Sequence, residues 1–571
     1  MAAPMKRALR GLARMVPPPG ERLLPILAGL MLVLSFPPFS APGLPFVALV
    51  PLLLFVAERP DGADGRWSAT RAGITAGLVY FGLLLYWLFV ALVHYSTLAI
   101  PAYLLTTMVL AGFTGAFAAA LHRIRSTLDA VPLALAAAAL WTALEWVQGN
   151  LGDLSFPWLG LGSSLAAYPG LAGAAELVGA RGLTFWLALV NGLVATAVLA
   201  ARRGGRWVRP GGYAALAALL PALWGVVRTS GLEVRPAARV AVVQPNIPED
   251  LKMDASQALD SSMTALENLT RRIPSGSVDL VVWPEVAVPA PIQAAYDGRR
   301  RPMRPVRERI RALSDAVSAP IVVGAYGLEA DPESGDVDLF NSALLTTAEG
   351  FVGEPYHKQR LVPFVERIPF VDPARLEWLI GGLRYFGGLG EGAATDPMRI
   401  AAGADGGVEG DEAGFGVLIC YESIFADVSR HARRSGADFL VNVTNDAWYG
   451  REPWYARTTA LWQHPAHLTL RSIEQRVGIA RAANTGISMF VEPTGHTYGR
   501  TELFEADVRV ATVYTTDVVT LYARWGDWLA TGATILAALL ALGAWWTGRR
   551  RADAERRYGG RRTGGARALR R

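Results

Sequence analysis

Three side chains that could together perform acyl transfer stand at or just after short β-rich stretches of the chain. Glu285 follows the apolar run LVVWP, Cys420 ends the run FGVLIC, and Lys358 lies within the segment EPYHKQRLVPFVE. Because α/β proteins form their sites at the carboxyl ends of strands, we expect these residues to meet in space. A thiolate can attack a carbonyl carbon, a carboxylate can remove the thiol proton, and a fixed cation can stabilise the oxyanion. The set therefore predicts covalent acyl transfer.

Each of these residues also has a simpler interpretation. Cys420 is the only cysteine of the chain, so no intrachain disulfide can form, and a lone cysteine on an apolar strand is often a buried small hydrophobe. Glu285 alone could be a solvated acid at a strand end, and Lys358 alone could be a surface charge. Lysine is rare in this chain, with three among 55 lysine and arginine residues, which favours a need for a compact ammonium at Lys358.

The elements that would position these residues alternate along the polar part of the chain. The spacing of apolar residues predicts seven short strands and two helices there. Such alternation is typical of stacked sheets flanked by helices. The predicted strands are 240–244, 280–283, 321–325, 342–346, 416–420, 439–443 and 487–491, and the predicted helices are 255–272 and 456–477.

The rest of the chain is strongly apolar. The sequence is 52% hydrophobic with a mean hydropathy of +0.27, which is high for a soluble protein of 571 residues. Eight apolar runs approach the length of about 20 residues that crosses a bilayer. They lie near 23–39, 43–57, 73–93, 98–121, 131–148, 183–201, 212–228 and 528–546. The first two runs are short and carry several prolines, so one of them could form a re-entrant hairpin.

The charges of the connecting loops predict how these runs are oriented. Short cytoplasmic loops are rich in lysine and arginine, whereas exported loops are not. The segment before the first run, the second, fourth and sixth loops and the C-terminal tail are all basic, while the odd loops carry little positive charge apart from Arg181. We therefore expect eight crossings, both termini in the cytoplasm, and the polar segment on the outer face. The net charge of +6 does not indicate nucleic-acid binding, because the basic residues cluster in these loops.

The motifs WPE, HKQRLVPFVE and CYE, in that order, resemble those of the carbon-nitrogen hydrolase, or nitrilase, superfamily. In the apolar half, the stretches SFPPFSAPGLPFVALVPLLL, LEWVQGN, FPWLGLGSS and ELVGARGLTF resemble the apolipoprotein N-acyltransferase family. The resemblance runs from about residue 23 to 545. It implies a multi-span α-helical membrane domain joined to an extracytoplasmic α/β nitrilase-like domain, an αββα sandwich.

The resemblance also implies residue roles and domain limits. Glu285, Lys358 and Cys420 would be the catalytic residues, and Glu366, Tyr421 and Glu422 would support or position them, with no metal and no cofactor. The expected domains are a cytoplasmic N-terminus at 1–22, seven transmembrane helices at 23–231, the catalytic domain at 232–522, an eighth transmembrane helix at 523–547 and a basic cytoplasmic tail at 548–571.

The function implied by the resemblance is a two-step acyl exchange. Cys420 would accept an acyl chain from a membrane phospholipid and pass it to the free α-amine of the N-terminal diacylglyceryl-cysteine of an apolipoprotein. We expect a monomer embedded in the bacterial cytoplasmic membrane, with no nucleic acid as partner. The alternatives are a membrane-tethered amidase or nitrilase acting on a small nitrogenous substrate, and a catalytically silent scaffold or transporter.

Some residues depart from the pattern or stand outside it. Met253 and Val365 replace the tryptophan and glycine usual in the family, and the loop 449–463 looks longer than typical. His464 and His467 could suggest a metal site, but no third ligand is apparent in the sequence. The stretch NDAW at 445–448 is expected to shape a turn, and Glu145 is an intramembrane acid that is either functional or a packing contact.

Overall fold

The protein forms a helical unit followed by an α/β unit and a long C-terminal helix. The computed structural model describes residues 17–93, 98–248, 255–297, 303–330, 337–370, 388–402 and 412–565. Within these ranges, the helical unit ends with the helix Val208–Ser230, and the first strand of the α/β unit starts at Arg235. The predicted boundary at 231/232 lies in this short connection.

Helices cover each of the eight apolar runs. Among the described residues, four helices are long and apolar enough to cross a membrane: Ala99–Thr127, Ala175–Arg202, Val208–Ser230 and the segment Trp528–Ala554 of the last helix, Trp528–Gly565. The others are Leu23–Ser35, Val50–Ala57, Ala63–Leu84 and Leu133–Gln148, with short helices at Trp87–Leu92 and Pro169–Ala172. The first two runs form short helices, as their prolines indicated, and the number of crossings stays a prediction.

The outer helices of this unit expose apolar side chains. In Val208–Ser230 only 11% of the most apolar stretch is buried, and leucines such as Leu219 and Leu223 are about 60% exposed. Apolar area left in water costs roughly 25 cal/mol per Å², so a broad apolar surface of this kind is typical of proteins that face lipid or another apolar partner.

The α/β unit contains two sheets within the described residues. The first has strands in the order β13-β1-β2-β4-β5-β6, with β3 paired to β4, and the second has the order β12-β11-β10-β9-β8-β7. The strands are β1 Arg235–Gln244, β2 Leu280–Val282, β3 Val288–Pro291, β4 Ile321–Ala330, β5 Val337–Thr346, β6 Phe351–His357, β7 Met398–Ala401, β8 Glu412–Ile419, β9 Phe439–Thr444, β10 Gly478–Ala483, β11 Met489–Val491, β12 Thr497–Tyr498 and β13 Asp507–Thr515.

The two sheets pack face to face between helices, so the αββα sandwich is confirmed. Val242 and Val322 of the first sheet and Phe415 and Val441 of the second share one buried cluster. The helices Ala255–Thr270 and Arg304–Val317 cover the outer face of the first sheet. The helices Ala426–Arg434 and Ala460–Gln475 cover the second sheet, and their core is continuous with that of the helical unit. The second helix layer therefore joins the sandwich to the membrane-type helices.

The sequence did not predict β3, β6, β7, β10, β12 and β13, although the seven strands and two helices that it did predict are present. Strand β6 contains Gly353 and Pro355, which are uncommon inside strands, and it lies at a sheet edge where both are tolerated. Strand β10, GIARAA, is rich in alanine and carries a fully buried arginine, Arg481. Neither strand has the alternation that identifies a half-buried strand.

Candidate active site

Cys420 lies directly after β8, at the point where the chain turns into a short 3-10 helix, Cys420–Ile424. Its backbone has φ +49°, in the left-handed region that a residue with a side chain rarely adopts. The side chain is 6% exposed, and PROPKA-independent geometry is not required to see that β8 and β9 run parallel and end at the same edge. The strained turn points the thiol out of the sheet at this edge.

The paragraph directly above contains a misworded sentence and should be replaced by the following one.

Cys420 lies directly after β8, where the chain turns into a short 3-10 helix, Cys420–Ile424. Its backbone has φ +49°, in the left-handed region that a residue with a side chain rarely adopts. Strands β8 and β9 run parallel and therefore end at the same edge of the second sheet. The thiol is buried, with 6% of the residue exposed, at this edge between the two sheets.

Glu285 follows β2 in the first sheet. The chain there passes close to β4: a Cβ placed on Gly324 would lie 2.0 Å from the carbonyl oxygen of Pro284, so a larger residue at 324 would displace this turn. Oε2 of Glu285 accepts a hydrogen bond from the backbone N–H of Asn445, 2.9 Å away, in the loop after β9. The carboxylate is thus fixed by both sheets, on the side where Cys420 lies.

Lys358 follows β6, and its side chain is fully buried. Its Nζ lies 3.2 Å from Oε1 of Glu285 and 2.8 Å from Oε1 of Glu366. Asn341 donates to the same two oxygens, at 2.7 and 3.0 Å. The structure therefore brings the three predicted residues of WPE, HKQRLVPFVE and CYE together, with Glu366 beside the lysine as the resemblance implied.

The charges at this site keep the thiol protonated and the acid ionised. Burial raises the pKa of the Cys420 thiol, the Glu285 carboxylate raises it further, and Lys358 lowers it by less. Burial also raises the pKa of Glu285, but the charge of Lys358 and hydrogen bonds with Asn341 and Cys420 bring it below 4.5. Burial lowers the pKa of Lys358, yet Glu285 and Glu366 raise it well above its usual value. A carboxylate thus lies within hydrogen-bonding reach of a neutral thiol, as a general base requires.

Glu366 and Glu422 fix the two loops that flank the thiol. Oε2 of Glu366 accepts from the N–H of Val362 at 2.8 Å. Glu422 accepts from the N–H groups of Ile419 and Gln359, both at 2.6 Å, and from the Tyr356 hydroxyl at 2.9 Å. Burial raises the pKa of Glu422 to about 7, although these donors oppose the shift. The Glu422 carboxyl therefore joins the Cys420 turn to the segment that carries Lys358.

Tyr421 does not face Glu285 or Lys358 in the way that its place beside the nucleophile would suggest. Its hydroxyl donates to the carbonyl oxygen of Ser155, 2.8 Å away in the helical unit, and its ring packs against Phe425 at 5.1 Å. The residue next to the thiol therefore ties the catalytic turn to the membrane-type helices.

A second buried ionic cluster, which the sequence did not predict, lies on the other side of Cys420. Asp446 contacts Nδ1 of His464 at 2.9 Å and Nη2 of Arg481 at 2.6 Å, and all three side chains are fully buried. Nε2 of His464 lies 3.1 Å from the carbonyl oxygen of Cys420. Burial raises the pKa of Asp446, but Arg481 and His464 outweigh this and bring it to about 2.

This cluster corrects two interpretations of the sequence. Asn445 and Asp446 were expected only to shape a turn; Asn445 does accept from the N–H of Ala447, but Asp446 is an ion-pair partner. His464 is neither a surface residue nor paired with His467: its ring is held between Asp446 and the Cys420 carbonyl. The short spacing of NDAW gave no signal for this, because the partners come from a distant helix and from β10.

Aromatic side chains of the helical unit cover the same side of the site. Trp158 stacks on His464 with ring centres 5.4 Å apart, and its Nε1 donates to Gln463 at 2.8 Å. Trp87 contacts Tyr449 edge to face at 5.1 Å. The wall between Cys420 and the helices is therefore aromatic, as suits a site that admits apolar chains.

The remaining calls have mixed outcomes. Met253 lies outside the described residues. Val365 does not occupy a backbone conformation that needs glycine; the positive φ of +62° falls on Phe364 instead. Glu145 accepts from Trp141, Thr184 and the N–H of Leu161, at 2.6 to 2.8 Å, so packing and hydrogen bonding account for it.

Two family profiles match the chain. The profile for the apolipoprotein N-acyltransferase N-terminal domain matches residues 28–193, and the carbon-nitrogen hydrolase profile matches residues 239–521. Together they cover the helical unit and the sandwich that carries Glu285, Lys358 and Cys420.

Curated relatives match over almost their whole length. An apolipoprotein N-acyltransferase of Geobacter metallireducens is 31% identical, over 91% of this chain and 95% of that protein. One of Gloeobacter violaceus is 31% identical, over 90% and 91%. Among solved structures, the amidase from Nesterenkonia sp. AN1 aligns with 52% of this chain and 98% of its own at 16% identity, with a TM-score of 0.32, which is too low to support an argument.

Proposed function

Because the chain belongs to the apolipoprotein N-acyltransferase family, we propose that Cys420 is its nucleophile, Glu285 its general base and Lys358 the cation that stabilises the oxyanion. The enzyme is an N-acyltransferase of lipoprotein maturation. The observation that carries the proposal is the buried convergence of an ionised carboxylate, an ammonium and the only thiol of the chain.

In the first step, Glu285 takes the proton of the Cys420 thiol while Sγ attacks the ester carbonyl of a membrane phospholipid. Lys358 donates a hydrogen bond to the oxyanion of the tetrahedral intermediate. The carbon–oxygen bond of the ester then breaks, the leaving alkoxide takes the proton from Glu285, and a lysophospholipid departs. An acyl thioester remains on Cys420.

In the second step, the free α-amine of the diacylglyceryl-cysteine of an apolipoprotein attacks the thioester carbonyl. Glu285 accepts a proton from the attacking amine, the carbon–sulfur bond breaks, and the proton returns to the sulfur. The products are an N-acylated lipoprotein and the free thiol. The same three side chains serve both steps, which is why the thiol need not be ionised at rest.

The placement in the membrane follows from both substrates. Their acyl chains are buried in a leaflet, and moving a chain into water costs roughly 0.8 kcal/mol per CH₂. A site against the helical unit avoids this cost, and the Tyr421 to Ser155 contact supports such a position. We propose eight crossings of the cytoplasmic membrane, the sandwich on the outer face, both termini inside, and a working monomer.

The relatives do not favour the amidase alternative, and a product assay tests the proposal. Full-length protein in vesicles receives a phospholipid with a labelled acyl chain and a diacylglyceryl-cysteine peptide. We expect labelled N-acyl peptide and an equal amount of lysophospholipid, and neither with Cys420→Ala. Hydrolysis of small amides with no label on the peptide would overturn the proposal in favour of the amidase.

A further inference from the structure

Two aromatic side chains project from the loop 449–463 into solvent. Trp454 is 80% exposed and Tyr455 is 76% exposed, and their ring centres lie 6.1 Å apart. Burying a large apolar side chain contributes roughly 1.5 to 3 kcal/mol, so leaving two adjacent ones in water is unfavourable. We call Trp454 and Tyr455 the aromatic tip.

The loop that carries the aromatic tip is held in place by its own hydrogen bonds. Gly450 and Arg457 pair across its base, and the N–H of Arg451 donates to the carbonyl of Ala456 at 3.2 Å. The Thr458 hydroxyl donates to the carbonyl of Tyr449. The tip is therefore presented by a closed turn, and its exposure is built into the backbone of that turn.

The base of the loop is attached to the outer end of a membrane-type helix. The Thr459 hydroxyl donates to the carbonyl of Leu84 at 2.8 Å, and the Tyr86 hydroxyl donates to the carbonyl of Arg457 at 3.2 Å. Leu84 is the last residue of the helix Ala63–Leu84. Neighbouring side chains on this side are also apolar and exposed, including Leu83 at 50%. The tip thus continues an apolar surface of the helical unit.

We propose that the aromatic tip contacts the lipid surface of the outer leaflet. Tryptophan and tyrosine are the residues that concentrate where hydrocarbon meets headgroups, because each has an apolar ring and a polar hydrogen-bonding group. The loop begins at Tyr449 and ends near His464, both beside Cys420, so this contact holds the edge of the active site at the bilayer. The inference rests on the proposed membrane placement of the enzyme.

A fluorescent label tests the contact directly. With Cys420→Ala as background, Tyr455→Cys supplies the only thiol of the full chain, and a bimane label on it is measured in phosphatidylethanolamine and phosphatidylglycerol vesicles. We expect blue-shifted emission that lipids brominated near the headgroup quench and aqueous iodide does not. This readout needs no acyl transfer, so its failure is distinct from failure of the proposed function.

The matched control is Arg272→Cys in the same background. Arg272 is exposed and precedes β2, whose other end leads to Glu285, so it lies at the sheet edge away from the site. Its label should be quenched by iodide and not by brominated lipid. Equal iodide quenching at positions 455 and 272 would overturn the proposal, as would shielding of position 455 that depends on protein concentration, which would assign the tip to a second copy.

A kinetic experiment gives an independent readout. The double variant Trp454→Ser with Tyr455→Ser should raise KM for a vesicle phospholipid about tenfold with little change in kcat, because the reacting groups are untouched. Trp454→Phe with Tyr455→Phe should restore most of the loss. Unchanged KM in the serine variant, or a loss that phenylalanine does not restore, would contradict a role in lipid contact.

Discussion

Two buried ionic clusters lie on opposite sides of Cys420, and they differ in what they leave free. In the first, Lys358 faces two carboxylates, Glu285 and Glu366, and the thiol is a further hydrogen-bond partner. In the second, Asp446 is matched by Arg481 and His464, and the remaining contact goes to the backbone of Cys420. Burial is similar in both, so burial alone does not distinguish reactive groups from structural ones.

The difference lies in how charge can move. The first cluster has one ammonium for two carboxylates, and ionising the thiol would add another negative charge, so a proton can leave sulfur only if a carboxylate accepts it. In the second cluster Asp446 has a pKa of about 2 and retains its charge. We therefore assign proton transfer to the first cluster and positioning of the Cys420 backbone to the second.

The largest expected effect comes from removing the base. Glu285→Gln keeps the shape but cannot accept the thiol proton, and we expect kcat for acyl transfer to fall about a thousandfold. Glu366→Gln is the matched control, since it removes a carboxylate from the same lysine and should cost far less. Equal losses in the two variants would mean that the charge count, not proton transfer, matters.

Removing the cation should have the next largest effect. Lys358→Met leaves no donor for the oxyanion, and we expect a loss of about a hundredfold in kcat. Lys358→Arg retains the charge but not the compact ammonium, so it should recover only part of the rate. Rates measured by release of lysophospholipid would contradict this assignment if the methionine variant equalled the wild type.

A smaller effect is expected from the second cluster. His464→Ala removes the contact with the Cys420 carbonyl, and we expect thioester formation to slow about tenfold while phospholipid KM stays unchanged. His464→Gln can still donate to that carbonyl and should recover part of the rate. A changed KM with a normal kcat would place His464 in substrate binding instead.

The smallest effect concerns stability and pH. Asp446 has a folded pKa of about 2 against an ordinary value of 3.8, which corresponds to about 2 kcal/mol of stabilisation. Because the folded pKa is the lower one, this stabilisation is present above pH 4 and is lost as pH falls toward 2. Thermal inactivation should therefore show a smaller acid dependence in Asp446→Asn, which is already destabilised at pH 7. An identical acid dependence would contradict the ion-pair assignment.

These clusters also show what sequence alone could predict. Glu285, Lys358 and Cys420 each follow a strand, so a rule about strand ends was enough to bring them together, and long apolar runs identified the helices. The second cluster joins the loop after β9, a helix and β10, and only the paired sheets bring Asp446, His464 and Arg481 into contact. Strand β10 was missed because alanine and a buried arginine obscure its pattern, and its ionic partner was missed with it.

The central claim is that Cys420 carries the acyl group between donor and acceptor. Full-length protein is incubated with a phospholipid of defined chain length, without acceptor, and its intact mass is measured. We predict a mass gain of one acyl group that neutral hydroxylamine removes and that Cys420→Ala never shows. Wild-type protein that N-acylates the acceptor peptide yet never gains this mass would contradict the account.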